Sequence, residues 1–177
     1  SDYLDKNTLL VMNNAKVIPA RLYFKRKSGA AIEVLLLEPS LPANYEEAFN
    51  TKAKCRWKCI IGNSKKWKDE EYIQLADNPT LLSAKLIDRQ ERIVELSWES
   101  GQSFTDLLDT IGELPLPPYL NRATEESDTD TYQTVFAKNA GSVAAPTAGL
   151  HFTANVFSGL KEKGVELEEV TLHVGAG

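Results

Sequence analysis

His151 and His173 are the only histidines among 177 residues, and each stands beside small or glycine-containing sequence. His151 closes GSVAAPTAGLHF (residues 141–152), which has no other acid or base; His173 lies in TLHVGAG near the end of the chain. An imidazole can donate a hydrogen bond or move a proton near neutral pH. Around it, Gly141 and Gly149 permit close backbone approach, Ala144, Ala145 and Ala148 leave room, Pro146 stiffens the bend and Thr147 offers a hydroxyl. A helix starting near Thr153 would place free amides close by, favouring a carboxylate or phosphate. The same texture also fits a tight strand-to-helix turn whose small residues only permit packing, with His151 a satisfied core residue. Two histidines without a cysteine or paired-carboxylate partner argue against zinc. GxGxxG, GxxxxGK[ST] and GxSxG are all absent.

The elements that must position these residues fall into two textures. Leu9 to Met12 reads as a buried strand, broken at Asn13-Asn14 and Pro19. From Leu22 onward the chain reads as β: AIEVLLLEP, KCRWKCIIG ending in Gly62-Asn63, and KLIDRQERIVELSWE as two strands around residues 88–91. Short strands at this spacing predict a small antiparallel barrel or sandwich. NYEEAFN is a short helical connector, and SFTDLLDTIGE a helix capped by Ser103 and stopped at Gly112. LPLPPYLNR, with three prolines in nine residues, is a stiff extended connection that fixes Tyr119 and Arg122. TYQTVFA is a strand or short helix. A helix follows from Thr153 through Leu160 to a stop at Gly164, and VELEEVTLHVGAG ends the chain as a strand alternating through Val170, Leu172 and Val174.

Composition bounds the class. Hydrophobic content of 42% and charged content of 25% are ordinary globular values. No apolar run approaches a membrane span and no signal peptide is visible, so a soluble, cytoplasmic protein without membrane contact is expected. Cys55 and Cys59 flank Trp57 and would share one face of a strand as buried free thiols. The net charge of −5 hides an asymmetry: residues 1–68 hold thirteen Lys and Arg against six Asp and Glu, the remainder seven against nineteen. The windows 6–32 and 52–68 hold six and seven basic residues with no acid. Such a surface can meet an anionic polymer, or be merely a solvated face.

NNAKVIPARL, LPLPPYLNR, YQTVFA, GSVAAPTAGLHF and TLHVGAG occur in the order and approximate spacing of one family. In these motifs the chain resembles the S-adenosylmethionine:tRNA ribosyltransferase-isomerases of queuosine biosynthesis, over nearly its whole length and most weakly from about residue 39 to 109. The resemblance implies an α/β plus β fold: a discontinuous α/β domain, residues 1–21 and 113–177, with a small antiparallel β-barrel inserted at 22–112. It implies transfer and isomerisation of the ribosyl group of S-adenosylmethionine onto a 7-aminomethyl-7-deazaguanine in tRNA. Epoxyqueuosine-tRNA forms, adenine and methionine are released, and no metal or permanently bound cofactor is needed. The implied partners are tRNA, through its anticodon region, and S-adenosylmethionine, with a monomeric full-length protein. Ala145, Pro146, Thr147, Ala148, Gly149, Leu150 and His151 become the expected cosubstrate lining, with Tyr119, Arg122, Tyr132, Gln133 and His173 nearby; His151 and His173 are the catalytic candidates. Arg21 is a candidate for an RNA phosphate or an ion pair. Charge alone adds Lys54, Arg56, Lys65 and Lys66 as an RNA-binding surface, with Trp57 and Trp67 available for stacking.

Two departures from the family pattern open alternatives. Asn14, Ala15 and Lys16 stand where the family has an acid, a hydroxyl and an arginine, which suits a paralogue acting on another adenosyl compound. Family members are also markedly longer, and this chain ends at Gly177 inside a motif that normally continues. A truncated or proteolytic fragment, or an incomplete gene product, inactive alone, is therefore expected. A noncatalytic RNA-binding β-barrel module is the alternative from a different class.

Overall fold

The computed structural model describes residues 3–115 and 132–175. The chain divides into two compact units, Pro19–Pro115 and the combination of Ser1–Ile18 with Leu116–Gly177.

The Pro19–Pro115 unit is a closed antiparallel barrel. Its strands are β3 (Arg21–Lys25), β4 (Ala31–Leu41), β5 (Lys54–Gly62), β6 (Tyr72–Leu75), β7 (Ser83–Asp88) and β8 (Ile93–Ser97), in the order β3-β4-β5-β8-β7-β6. The period-two pattern of β5 explains its place: Cys55, Trp57 and Cys59 are buried, while Lys54, Arg56 and Lys58 face outward. Burial holds the Cys55 thiol at about 12 and pushes Cys59 further up, so both stay protonated and unreactive at neutral pH. Two short helices each bury one face, Ala48 and Phe49 in the first and Phe104, Leu107 and Leu108 in the second. The helix α1 (Tyr45–Asn50) starts where the Asn44 side chain accepts from the Glu47 amide. The helix α2 (Phe104–Ile111) starts where the Ser103 hydroxyl accepts from the Asp106 amide. Phe49, Trp57, Phe104 and Trp98 form a chain of ring contacts with centroids 5.4 to 5.7 Å apart; each such buried side chain contributes about 1.5–3 kcal/mol. A Cβ at Gly112 would run into the Pro19 carbonyl, so glycine alone lets α2 end against the start of the unit. The strand is then closed by a two-way backbone pair between Arg21 and Glu113, at 3.1 and 2.9 Å.

The other unit has α/β character. It contains β1 (Leu9–Asn13), β2 (Ala15–Val17), β9 (Asn139–Ser142), the helix α3 (Ala154–Glu162) and β10 (Glu166–Val170). Among the described residues its sheets are two parallel pairs, β1 with β10 and β2 with β9. The helix α3 begins at Thr153, whose hydroxyl accepts from the Val156 amide, and stops at Gly164 with φ of 73°.

Four local expectations are corrected. The apolar run of β1 is not buried throughout: Leu9 and Val11, on one face of the strand, are each 53% exposed, whereas Met12 on the other is buried. The described residues of TYQTVFA, 132–137, form neither strand nor helix but turns, with the Ala137 amide donating to the Thr134 carbonyl. The final strand stops at Val170, because the Asn13 side chain takes over both backbone groups of Leu172, accepting from its amide at 3.0 Å and donating to its carbonyl at 2.9 Å. Trp57 and Trp67 are core residues, 0% and 1% exposed, and offer no stacking surface. The Trp67 indole is turned inward to donate to the Glu71 carbonyl at 3.0 Å. Strand β6 went unexpected, since four residues alternating Tyr, Ile, Gln and Leu carry too short a period to stand out.

Candidate functional site

The loop after β9 is where the unit's chemistry-bearing residues meet. Gly141 adopts φ of 140° at the point where the β2–β9 register shifts, a conformation other residues reach only under strain. Ser142 follows, fully buried. Its hydroxyl donates to the Ala144 carbonyl at 2.8 Å and accepts from the Val174 amide at 3.0 Å. The Val143 amide donates to the Val174 carbonyl at 2.8 Å. These bonds join GSVAAPTAGLHF to TLHVGAG, so the segments bearing the two histidines are stitched together at residues 142–144 and 174.

From Pro146 the chain enters a 3-10 turn, Thr147–His151. Ala145 is buried, Pro146, Gly149 and Leu150 are half-buried, and Thr147, Ala148 and His151 are exposed. The turn does pack closely: a Cβ on Gly149 would lie 2.8 Å from both Phe136 Cζ and Thr134 Cγ2. His151, however, is on the surface and is no satisfied core residue. Beside the turn, Phe136, Phe152 and Phe157 form a half-buried trio with centroids 5.5 to 6.4 Å apart. Thr134 is buried, and its hydroxyl has no hydrogen-bond partner among the described residues. An orphaned buried hydroxyl costs about 1–3 kcal/mol, which a ligand's polar atom could recover. Thr134 and the three phenylalanines were missed by residue-type reasoning; the signal was present, since TYQTVFA and GSVAAPTAGLHF contain all but Phe157.

Of the other expected residues, Tyr132 is buried in the same unit. Gln133 is committed to the fold: its amide accepts from the Val17 amide at 3.0 Å and donates to the Val17 carbonyl at 2.8 Å, extending β2 like an extra strand residue. His173 is half-buried, and burial lowers its pKa, so the neutral imidazole prevails at pH 7. Tyr119 and Arg122 lie outside the described residues.

The departing Asn14 is accounted for by its neighbours. Its amide nitrogen donates to Glu169 Oε2 at 2.9 Å, and its oxygen accepts from Thr171 at 2.7 Å and Asn139 at 3.1 Å. Lys138 closes the cluster on Glu169 at 2.6 Å. The lysine and then the asparagine hold the Glu169 carboxyl below its usual range. An aspartate at position 14 would face Glu169 as a second carboxylate, whereas asparagine meets it as a donor.

On the barrel, Arg21 Nε faces Glu33 Oε1 at 3.4 Å, and Arg56 is bound by Glu95 at 2.8 Å. Lys54, Lys65 and Lys66 are exposed. No group of three or more His, Cys, Asp or Glu among the described residues could hold a metal ion, and none of their helices is long and apolar enough to cross a membrane.

Comparison with known proteins gives this arrangement a context. Residues 1–177 match the family described as queuosine biosynthesis protein. The S-adenosylmethionine:tRNA ribosyltransferase-isomerase of Trichlorobacter lovleyi is 40% identical over 176 residues, which is 99% of this chain and 48% of that protein. Its counterpart in Cytophaga hutchinsonii is 42% identical over 179 residues, 99% of this chain and 49% of that protein. A crystal structure of an S-adenosylmethionine tRNA ribosyltransferase from Thermotoga maritima is 30% identical, over 98% of this chain and 43% of that one, with a TM-score of 0.36. The chain spans about half the length of the curated relatives it matches.

Proposed function

We propose, from the premise that this chain belongs to the queuosine biosynthesis protein family, that it forms one half of a transferase acting on tRNA with S-adenosylmethionine. In this reading the ribosyl group passes to the aminomethyl nitrogen of a 7-deazaguanine base and is isomerised to give epoxyqueuosine-tRNA. The carbon–sulfur bond breaks as methionine leaves, and the glycosidic bond breaks as adenine leaves. The observation that carries the reading is the match of the whole chain, at about 40% identity, to proteins named for that activity.

Within that reading the residues divide the work by chemistry. Ala145 to Leu150 form the wall of the cosubstrate site, with Phe136, Phe152 and Phe157 as an apolar surface suited to adenine. The orphaned Thr134 hydroxyl supplies a polar contact. His173, whose pKa burial lowers so that its imidazole is neutral at pH 7, is one candidate proton carrier, and the exposed His151 is the other. Tyr132 and Gln133 act through the loop they support, and Tyr119 and Arg122 complete the site as the family motif implies. On the barrel, Lys54, Lys65 and Lys66 are available to tRNA phosphates, while Arg21 and Arg56 reach RNA only by leaving their carboxylates. The protein is soluble in the cytoplasm and acts as a monomer on the anticodon region.

Adenine release tests this. A full-length protein containing the chain, given S-adenosylmethionine and tRNA bearing the 7-aminomethyl-7-deazaguanine, is expected to release adenine only when both substrates are present. Release without tRNA, or none at all, contradicts the reading.

A further inference from the structure

The basic residues of β5 are largely answered by acids across the ladder: Arg56 by Glu95 and Lys58 by Glu38, at 2.8 and 3.3 Å. The opposite seam of the barrel differs. Strand β3 meets β6 through only two residue pairs, Phe24 with Leu75 and Lys25 with Gln74, and the open ladder leaves a concavity of about 340 Å³. Outward side chains from three strands converge on it, because register sets Lys25 beside Gln74, Gln74 beside Ser83, and Tyr72 beside Lys85. Lys27, from the β3–β4 turn, lines the same hollow.

Lys25 and Lys27 are both exposed, and neither meets a carboxylate among the described residues. Arg26 and Lys85, their neighbours, are occupied by Glu71 and Glu70. Tyr72 is 54% exposed, with the Lys85 ammonium 5.4 Å from its ring centroid. Two steps from Lys25 along β3, Tyr23 is 38% exposed. Unpaired cations in a hollow, an exposed aromatic ring, an amide and a hydroxyl are what a single-stranded nucleic acid uses: phosphates on the lysines, a base on the ring, base edges on Gln74 and Ser83. We propose that this β3–β6–β7 face binds an unpaired stretch of RNA, with Tyr72 as its stacking platform and Lys25 and Lys27 as its phosphate contacts. The proposal rests on the reading that tRNA is the substrate, and places RNA contact away from the buried Trp57 and Trp67.

The test measures binding of the chain to a single-stranded 12-nucleotide RNA, to a duplex of the same length and to a tRNA transcript, across a salt series. The joint change Lys25→Ala with Lys27→Ala is expected to weaken single-strand binding about tenfold and to flatten the salt slope by about 1.4, as for two lost phosphate contacts. Tyr72→Ala is expected to cost between about fivefold and a hundredfold, and Tyr72→Phe, which keeps the ring, less than twofold. Thermal unfolding of each variant separates lost binding from lost fold. Equal binding of duplex and single strand, unchanged binding in the folded lysine and tyrosine variants, or no RNA binding by the chain overturns the proposal. Adenine release by the full-length protein judges the substrate reading separately, so either can fail without the other.

Discussion

Single residues show how burial and neighbours, more than residue type, set the chemistry here. His173 and His151 are equivalent in composition, yet one is half-buried with a lowered pKa and the other stands on the surface. Because the unfolded His173 binds its proton more readily than the folded one, folding stability should rise with pH through about 6.5 and be lost as pH falls below it. Glu169, held down by Lys138 and Asn14, adds a second loss at lower pH: its contribution is present above about 4.3 and disappears as pH falls through its folded value. Thermal midpoints measured from pH 8 to about 2 should fall in these two stages, and His173→Gln should remove the first. A midpoint unchanged between pH 7.5 and 5.5 would show that His173 is not desolvated as described.

Among the elements, the 3-10 turn at Thr147–His151 is held by packing on residues 132–137 rather than by regular pairing. Gly149→Ala would press a methyl against Phe136 and Thr134, an overpacking cost of about 1–3 kcal/mol. Chemical denaturation should show that loss; an unchanged midpoint would mean the turn moves away freely. The legibility of elements followed their own signals. The caps at Ser103 and Thr153, the stop at Gly164 and the inward row Cys55, Trp57 and Cys59 were readable because each depends on near neighbours. The end of β10 at Val170 and the turns at 132–137 were not, because they depend on Asn13 and Gln133, side chains that substitute for backbone across more than a hundred residues of sequence.

For the molecule, the closed barrel and the α/β unit agree with the architecture that the motifs implied, and the basic excess resolves into cations paired across the barrel, such as Arg56 and Arg26, and exposed ones such as Lys25 and Lys54. Composition could count those cations but could not say which ones face acids, since that is decided by strand register. The same limit hid the candidate site: its histidine segments were legible as motifs, whereas the Ser142 bonds that join them and the orphaned Thr134 emerge only on folding. The central claim is ribosyl transfer to tRNA, and its most direct measurement is the nucleoside composition of the tRNA after reaction. Mass spectrometry of digested tRNA should find epoxyqueuosine after incubation with a full-length protein containing this chain and S-adenosylmethionine, and none with the chain alone. Unaltered 7-aminomethyl-7-deazaguanine with a folded, full-length protein would contradict the account.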